Sequence, residues 1–187
     1  PERATLAVAE ILGTEALEER ALPVLLDARK RLLTPDARLV PATIRIFGLP
    51  VSIPAERLEN LTFTPANTAR WGAWYGLDYA ARLRQRLTVA IEEARDWPSL
   101  SEPVLLAELD LAALETPVFE LVVSATATSS GRADGVAAFF EADLSPGVTL
   151  STNPALADPP RSWGLPVWLA PQPVELREGV EFSLEYV

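Results

Sequence analysis

The sequence lacks three residue types that carry much of protein chemistry, because it contains no cysteine, no histidine and no methionine. These absences exclude disulfides, thiolate or imidazole metal sites, cysteine nucleophiles and histidine-based acid–base schemes. Lysine is nearly missing too, since every one of the 16 basic residues except Lys30 is arginine. Any chemistry must therefore use carboxylates, hydroxyls, arginine, Lys30 or the backbone.

Long hydrophobic runs are also missing. No stretch of about 18 apolar residues occurs, and no basic start is followed by an apolar segment and a cleavage site. The sequence therefore predicts neither a membrane span nor a signal peptide, and we expect a cytoplasmic protein. With 187 residues, of which 49% are apolar, the chain is long enough for one domain with a real core and an appended segment.

Positive charge is scarce in the second half of the chain. Residues 1–100 carry 13 acidic and 13 basic side chains, whereas residues 101–187 carry 13 acidic side chains and only three arginines. The net charge of −10 therefore comes from the second half. Such a surface repels nucleic acid and membrane phosphates and attracts basic partners, although a need for solubility would also explain it.

The start of the chain reads as one strand followed by one helix. Residues 4–9, ATLAVA, form an apolar run without polar alternation, which is typical of a strand buried on both faces of a parallel sheet. From residue 16 to residue 33, apolar side chains recur every three or four positions, which predicts a helix that Thr34-Pro35-Asp36 ends. Because one strand and one helix cannot form a parallel sheet, we interpret residues 1–38 as the tail of a doubly wound domain whose earlier strands precede Pro1.

After this point the hydrophobic pattern changes to a period of two. The runs are separated by proline, glycine, serine and aspartate, which predicts an antiparallel sandwich or barrel. The predicted strand regions are residues 37–54, 104–114, 116–128, 135–144, 173–179 and 180–187.

An insertion of about residues 64–97 interrupts these strands. Its second half shows a helical stripe of apolar residues, which are Leu77, Ala80, Ala81, Leu87 and Ile91. Arg82, Arg84 and Arg86 fall outside this stripe. Trp71, Trp74 and Trp97 also lie in the insertion, so we expect it to bury against its own barrel or against a second copy of the chain.

Glu10 and Glu19 stand nine positions apart, at the two ends of the predicted strand-to-helix connection. In open α/β sheets ligands bind at the carboxyl ends of the strands. Two carboxylates there could bind a divalent cation, act as acid and base, or clamp a guanidinium group, whose planar fork suits carboxylates from different sides. They could also, with Glu15 and Glu18, simply complement the helix dipole. The spacing alone leaves these alternatives open.

Residues 9–47 resemble the double-glutamate loop and following helix of the protein arginine methyltransferases. That family has Ser-Glu-x-x-Gly, a second Glu nine residues after the first, an Ala-Arg before the helix end, then Pro-Asp and a later Pro. The residues that match in register are Glu10, Gly13, Glu19, Ala28, Arg29, Pro35, Asp36 and Pro41. The Glu-Glu-Arg-Ala-Leu-Pro of residues 18–23 resembles the monomethylating, type III branch.

The resemblance covers nearly the whole chain. Trp74-Tyr75-Gly76-Leu77-Asp78 is similar to the Tyr-Gly-Phe-Asp of the family's dimerisation arm, and LLAELDL at residues 105–111 is similar to an early barrel strand. Residues 135–168 resemble the strand and loop that carry the family's Thr-His-Trp motif. Two positions depart from the pattern, since Arg161-Ser162-Trp163 replaces Thr-His-Trp and Ala9 replaces the serine before the first glutamate.

This resemblance implies a mainly β (α+β) fold. Residues 39–187 would form an antiparallel β-barrel for substrate binding, with a helical arm inserted at about residues 64–97. Residues 1–38 would be the last strand–helix unit of a Rossmann-like methyltransferase domain, carrying the double-glutamate loop.

One lysine beside fifteen arginines, with plentiful alanine, leucine and proline, is typical of a GC-rich bacterial genome. The resemblance also implies a function, the transfer of a methyl group from S-adenosylmethionine to a protein arginine. Glu10 and Glu19 would be the catalytic, substrate-binding clamp, Trp163 a wall of the pocket, and residues 74–78 a homodimer contact. The family's glycine-rich turn and acidic ribose ligand are absent from the sequence. We therefore expect the intact protein to bind S-adenosylmethionine and this chain alone to bind no cofactor and to be inactive.

Two alternatives accompany this interpretation. Trp163 could be an aromatic residue of the barrel core instead of a pocket wall. The whole chain could be a non-catalytic barrel module that binds a basic protein partner through its acidic surface.

Overall fold

The computed structural model describes residues 2–59, 64–79, 86–118 and 120–186. These ranges contain ten strands and four helices. In chain order they are β1 Ala4–Val8, α1 Ala21–Arg31, β2 Leu33–Val40, β3 Thr43–Val51, α2 Ala55–Glu59, α3 Pro65–Tyr75, β4 Arg86–Ala90, α4 Ile91–Ala94, β5 Val104–Asp110, β6 Leu121–Thr126, β7 Gly131–Ser145, β8 Val148–Ser151, β9 Gly164–Leu176 and β10 Glu181–Tyr186. No helix within these ranges is both long enough and apolar enough to cross a membrane.

The first unit of the chain is a parallel strand–helix–strand arrangement. Strands β1 and β2 pair in parallel, with Leu6 opposite Arg38 and Val8 opposite Val40, and α1 connects them. Helix α1 buries Ala21, Leu22 and Leu25. The apolar run at residues 4–9 contains strand β1, as predicted, but Leu6 and Val8 are exposed, so the predicted burial of this strand on both faces is wrong.

Two boundaries of this unit differ from the prediction. Helix α1 begins at Ala21 and not at residue 16, because Ala16 and Arg20 both adopt left-handed backbone conformations that interrupt a helix. It ends at Arg31, and Thr34-Pro35-Asp36 lies inside β2 and not at a helix stop. Proline is tolerated there because β2 is an edge strand of a two-stranded sheet.

The main sheet is antiparallel and has the strand order β4-β9-β7-β3-β5, with β8 paired to the distal part of β7. Strand β3 alternates between buried and half-buried residues, as the period-two pattern predicts. One face of the sheet packs on the strand–helix–strand unit through residues such as Ile44, Ile46 and Phe140. A second cluster, which includes Trp97, Phe139 and Leu165, fills another part of the core.

The predicted barrel is not closed by hydrogen bonds in the part of the chain that the structure describes. The main sheet keeps β4 and β5 as its two edges, and β6 pairs with β10 in a separate antiparallel ribbon. The ribbon covers the main sheet near Gly48, since a Cβ atom there would lie 3.0 Å from the side chains of both Leu106 and Leu184. The mainly β fold is confirmed, but its strands form an open sheet with a covering ribbon.

The insertion also differs from its prediction. Helix α3 ends at Tyr75 with Gly76 in a left-handed conformation, which suits glycine at a helix C-terminus. Leu87 belongs to strand β4 and not to a helical stripe, while Ile91 begins the short helix α4. Leu77, the first predicted stripe residue, follows Gly76 and lies outside any helix. Ala80 and Ala81, and the neighbouring Arg82 and Arg84, lie outside the described residues.

Candidate functional site

The candidate site is the connection between β1 and α1, residues 9–20, which we call the glutamate loop. It begins where the Ala9 amide donates a hydrogen bond to the Val40 carbonyl oxygen at 2.9 Å, and it turns where the Ala16 amide donates to the Gly13 carbonyl oxygen at 2.9 Å. Ala16 is fully buried at this turn. The loop thus has a defined fold and lies at the carboxyl end of a parallel strand, where ligands bind in α/β folds.

Glu10 and Glu19 lie at the two ends of the glutamate loop, and both are exposed. Glu10 follows β1 by two residues, and Glu19 precedes Arg20, the residue that caps α1. Neither carboxylate forms a hydrogen bond or an ion pair with the residues that the structure describes. The structure therefore places both predicted residues on one loop and leaves their carboxylates open to a ligand.

The other two glutamates of the loop are paired. Arg86, the first residue of β4, donates from Nη1 to Glu15 Oε1 at 2.6 Å, and its Nη2 forms an ion pair with Glu18. Glu18 Oε2 also accepts the backbone amide of Glu15 at 3.1 Å. The side chains of Glu15 and Glu18 are 14% and 25% exposed, so this bridge is partly shielded from water.

The electrostatics of this bridge reflect its burial. Burial raises the pKa of Glu15, and the hydrogen bond and charge of Arg86 offset this effect only in part. Burial lowers the pKa of Arg86 because it disfavours the charged form. The hydrogen bonds to Glu15 and Glu18 have the larger combined effect, so the pKa of Arg86 is raised. Tyr186 contacts the same region, and burial together with the charges of the two glutamates raises its pKa to about 12.

Trp163 contacts the glutamate loop from the segment that leads into β9. Its indole Nε1 donates a hydrogen bond to the Leu12 carbonyl oxygen at 2.8 Å, and its ring meets Phe140 edge-on with centroids 6.1 Å apart. Trp163 is half-buried and packs against the first core cluster. It thus has core contacts and also touches the loop that carries Glu10 and Glu19.

The predicted dimer residues lie at the end of helix α3 and just after it, far along the chain from the glutamate loop. Trp74, Tyr75 and Leu77 are 64%, 66% and 59% exposed. The rings of Trp74 and Tyr75 contact each other edge-on with centroids 6.4 Å apart, and the Arg70 guanidinium lies 6.0 Å from the Trp74 ring. These three side chains therefore form an exposed apolar surface in the described part of the chain.

Arg86 is a site residue that the sequence did not predict, because its position falls outside the apolar stripe of a predicted helix. A signal was present, since Arg-Leu-Thr-Val-Ala at residues 86–90 alternates in polarity and contains β-branched Thr88 and Val89, both typical of a strand. Its two glutamate partners could not have been found, because they lie about 70 residues earlier in the chain.

The carboxylates of the site do not form a metal site. No group of three or more acidic, histidine or cysteine side chains in the described ranges could hold a metal ion. Glu15 and Glu18 of the glutamate loop are taken up by their contacts with each other and with Arg86. A Cβ atom at Gly13 would lie 2.8 Å from Glu18 Cβ, so this glycine is already covered by the loop itself and offers no open cradle.

Comparison with known proteins finds a curated relative of the chain. The chain is 32% identical over 180 residues to the arginine N(omega)-methyltransferase of Streptomyces achromogenes subsp. streptozoticus, and the match covers 95% of the chain and 47% of that relative. The chain is therefore similar to an arginine methyltransferase over nearly its whole length. The resemblance to the protein arginine methyltransferases is thereby confirmed, although no protein-family model matches the chain.

A solved structure shares the fold of this arginine methyltransferase-like chain. It is a chain of the Trypanosoma brucei PRMT1 enzyme–prozyme heterotetrameric complex with AdoHcy, matched with a TM-score of 0.77 and 19% identity over 99% of the present chain. The chain spans about half the length of its curated relative and 58% of the solved one. The comparisons leave the type III prediction, the domain boundaries and the roles of individual residues as predictions.

Proposed function

We propose that this chain is the substrate-binding part of a protein that transfers a methyl group from S-adenosylmethionine to a protein arginine. In this proposal Glu10 and Glu19 hold the guanidinium group of the substrate, and another part of the full-length protein holds the methyl donor. The similarity to an arginine methyltransferase over 95% of the chain supports the reaction class.

One observation carries the proposal, the unequal pairing of the four carboxylates in the glutamate loop. Arg86 pairs with both Glu15 and Glu18, whereas Glu10 and Glu19 are exposed and make no ion pair in the described ranges. A cation bound to these two unpaired carboxylates would offset their negative charge. A guanidinium group suits this role because its planar fork can donate to two carboxylates at once.

The chemistry of arginine explains why two carboxylates are needed. A guanidinium has a pKa above about 12, so the site cannot deprotonate it in advance. Carboxylates that bind it through two of its nitrogens balance its charge and fix the third nitrogen toward the methyl donor. Such positioning supplies most of the rate enhancement when the transferred group is already activated.

The test uses the full-length protein with S-adenosylmethionine and an arginine-containing basic peptide, and mass spectrometry detects the methylated product. We expect Glu10→Gln and Glu19→Gln each to lower kcat/KM by roughly a hundredfold or more, because each removes one hydrogen-bonded charge from the substrate. Glu178→Gln is the matched control, since Glu178 is another exposed carboxylate and lies on the turn before β10. Full activity of Glu10→Gln or of Glu19→Gln would contradict the clamp.

We further propose that the product is monomethylarginine. This finer assignment rests on the Glu-Glu-Arg-Ala-Leu-Pro of residues 18–23, which resembles the type III branch. The same mass measurement at long reaction times distinguishes one added methyl group from two, and accumulation of dimethylarginine would reject the assignment.

The proposed protein is a homodimer that associates through the surface formed by Trp74, Tyr75 and Leu77. Their exposure supports this, because burying each of these side chains stabilises an interface by roughly 1.5 to 3 kcal/mol. Light scattering on the full-length protein, with Trp74→Ala and Tyr75→Ala as disruptive variants, measures the association. A wild-type protein that stays monomeric at tens of micromolar would contradict the dimer.

A second function, binding of a basic protein without catalysis, is favoured by the acidic surplus of residues 101–187. Two results separate it from the first. Peptide binding without methyl transfer would support the binding module, whereas transfer that depends on Glu10 and Glu19 would reject it.

A further inference from the structure

Arg86 joins the main sheet to the glutamate loop. It stands at the start of β4, opposite Trp168 of β9, and its guanidinium lies 5.8 Å from the Trp168 ring centroid. The ladder between β4 and β9 fixes the backbone of Arg86, and the Trp168 ring restricts its side chain. The guanidinium therefore reaches the loop from a rigid support.

The glutamate loop needs external support because two of its residues are strained. Ala16 has a φ of 62° and Arg20 a φ of 60°, and neither is a glycine. Left-handed conformations of such residues cost about 1 to 3 kcal/mol each and persist only where the surrounding structure enforces them. Inside the loop, the Ala16 amide bonds the Gly13 carbonyl, the Leu17 amide bonds the Glu15 carbonyl, and the Glu15 amide bonds the Glu18 carboxylate. Contacts from outside the loop add to these three bonds.

The Ala9–Val40 backbone bond and the burial of Leu12 and Ala16 in the core already restrain the loop. Two side chains from outside add hydrogen bonds or ion pairs to different parts of it. Trp163 binds the Leu12 carbonyl in the first half, close to Glu10. Arg86 binds Glu15 and Glu18 in the second half, next to Glu19. Fixing the Glu18 side chain also restrains the backbone from which the neighbouring Glu19 projects.

We propose that Arg86 is a positioning residue, which holds the glutamate loop in the conformation that presents Glu19 together with Glu10 to a substrate arginine. This inference rests on the proposed function, because it assigns Arg86 a role in the same reaction. Arg86 does not contact the substrate in this role, since its guanidinium is occupied by Glu15 and Glu18. Its effect on catalysis is transmitted through the loop.

The kinetic test compares Arg86→Gln with Arg45→Gln in the full-length protein. Arg45 is a matched control, because it is also a partly buried arginine of the main sheet and pairs with carboxylates, Asp143 and Glu141, that lie outside the loop. We expect Arg86→Gln to lower kcat roughly ten- to a hundredfold through misplacement of the clamp, while the KM for S-adenosylmethionine stays within about twofold. Arg45→Gln should retain kcat within about threefold.

Arg86→Lys tests the geometry of the bridge. One ammonium group replaces a fork that reaches two carboxylates, so this conservative variant should fold normally and recover only part of the lost kcat. Wild-type kcat in both Arg86→Gln and Arg86→Lys would overturn the proposal. An equal loss of kcat in Arg45→Gln would also overturn it, because the effect would then reflect general destabilisation.

A second measurement does not depend on activity. Hydrogen exchange of the amides in residues 13–19 should become at least about tenfold faster in Arg86→Gln and remain unchanged in Arg45→Gln. Unchanged exchange in Arg86→Gln would show that Arg86 does not hold the loop and would overturn the inference. If the wild-type protein transfers no methyl group, the proposed function fails, and the exchange rates still decide whether Arg86 fixes the loop.

Discussion

Two arginines of the main sheet pair with carboxylates, and they differ in what they connect. Arg45 on β3 donates from Nη1 and Nη2 to the two oxygens of Asp143 on β7, both at 2.9 Å, and also contacts Glu141 on the same strand. The strands that Arg45 joins are already held by ladder hydrogen bonds. Arg86 instead joins the sheet to a loop that has no such ladder.

The comparison teaches that the strength of an ion pair and its functional effect are separate properties. The Arg45 network is bidentate and includes Glu108 across the β3–β5 ladder, so three carboxylates depend on one cation. Its loss should lower the stability of the fold without moving any loop. The Arg86 bridge has fewer partners, but its loss frees the segment that carries the proposed clamp.

The largest effect that we expect on stability is that of Arg45→Gln. It leaves Asp143, Glu141 and Glu108 close together without their cation, so the free energy of unfolding should fall by about 1.5 to 3 kcal/mol. Arg86→Gln should cost less, about 1 kcal/mol, because the loop can open and return Glu15 and Glu18 to water. Urea unfolding of both variants measures the difference, and a larger loss in Arg86→Gln would contradict the comparison.

The strands around Arg45 and the strand–helix unit that carries the glutamate loop were largely predictable from the sequence, but the contacts of Arg45 and Arg86 were not. The period-two pattern predicted the strands that place Arg45 beside its partners, because side chains on adjacent strands share a face at regular spacing. The left-handed residues Ala16 and Arg20 carried no signal, since neither is glycine or asparagine, and the start of α1 was therefore predicted too early.

The positions of the site residues were partly predictable, and their roles rest on the resemblance. Glu10 and Glu19 were singled out at the two ends of the predicted strand-to-helix connection, and Trp163 from a family motif; all three lie on or against the glutamate loop. Arg86 follows no motif, and its partners are set by the pairing of β4 with β9. Tertiary placement of this kind cannot be derived from local sequence patterns.

Gly13→Ala should disturb the loop without disturbing the sheet. A Cβ atom at this position would lie 2.8 Å from Glu18 Cβ, closer than Cβ atoms approach other atoms, so Glu18 or the loop backbone must shift and the contact with Arg86 is disturbed. We expect a loss of about 1 to 2 kcal/mol in the free energy of unfolding and faster hydrogen exchange in the loop. Gly147→Ala is a contrasting control. Open space surrounds its Cβ position, although an alanine at its φ of 76° would be strained.

The contributions of the Arg45 and Arg86 networks to the stability of the fold should change with pH in opposite directions. Hydrogen bonds from Arg45 and Thr149 lower the pKa of Asp143 below 3.8, so its contribution to stability is present above that pH and is lost as the pH falls through the folded-state value. Burial raises the pKa of Glu15 above 4.5, with Arg86, Glu18 and Tyr186 facing it. The folded state then binds the Glu15 proton more tightly than the unfolded state, so stability falls as the pH rises from 4.5 through the folded-state pKa.

Urea unfolding between about pH 3 and pH 7 tests these signs, with Glu15→Gln and Asp143→Asn as paired variants. The wild-type protein should lose stability relative to Glu15→Gln as the pH rises above 4.5, and relative to Asp143→Asn as the pH falls below 3.8. In each comparison, the difference in free energy of unfolding between wild type and variant is plotted against pH. Slopes of the same sign in both plots would show that the two arginine networks do not differ in burial as described.

The smallest effect on stability should come from Ser162→His, which restores the middle residue of the family's Thr-His-Trp pattern. Ser162 is exposed and forms no hydrogen bond or ion pair in the described ranges, so the free energy of unfolding should change by less than about 0.5 kcal/mol. The neighbouring Trp163 keeps its hydrogen bond to Leu12, and the glutamate loop should therefore keep its position.

Turnover of Ser162→His is measured beside that of the wild-type protein, and an increase would show that an imidazole beside Trp163 assists the clamp. A variant that unfolds would show instead that this segment packs as core, which would favour the aromatic-core interpretation of Trp163 over the pocket wall.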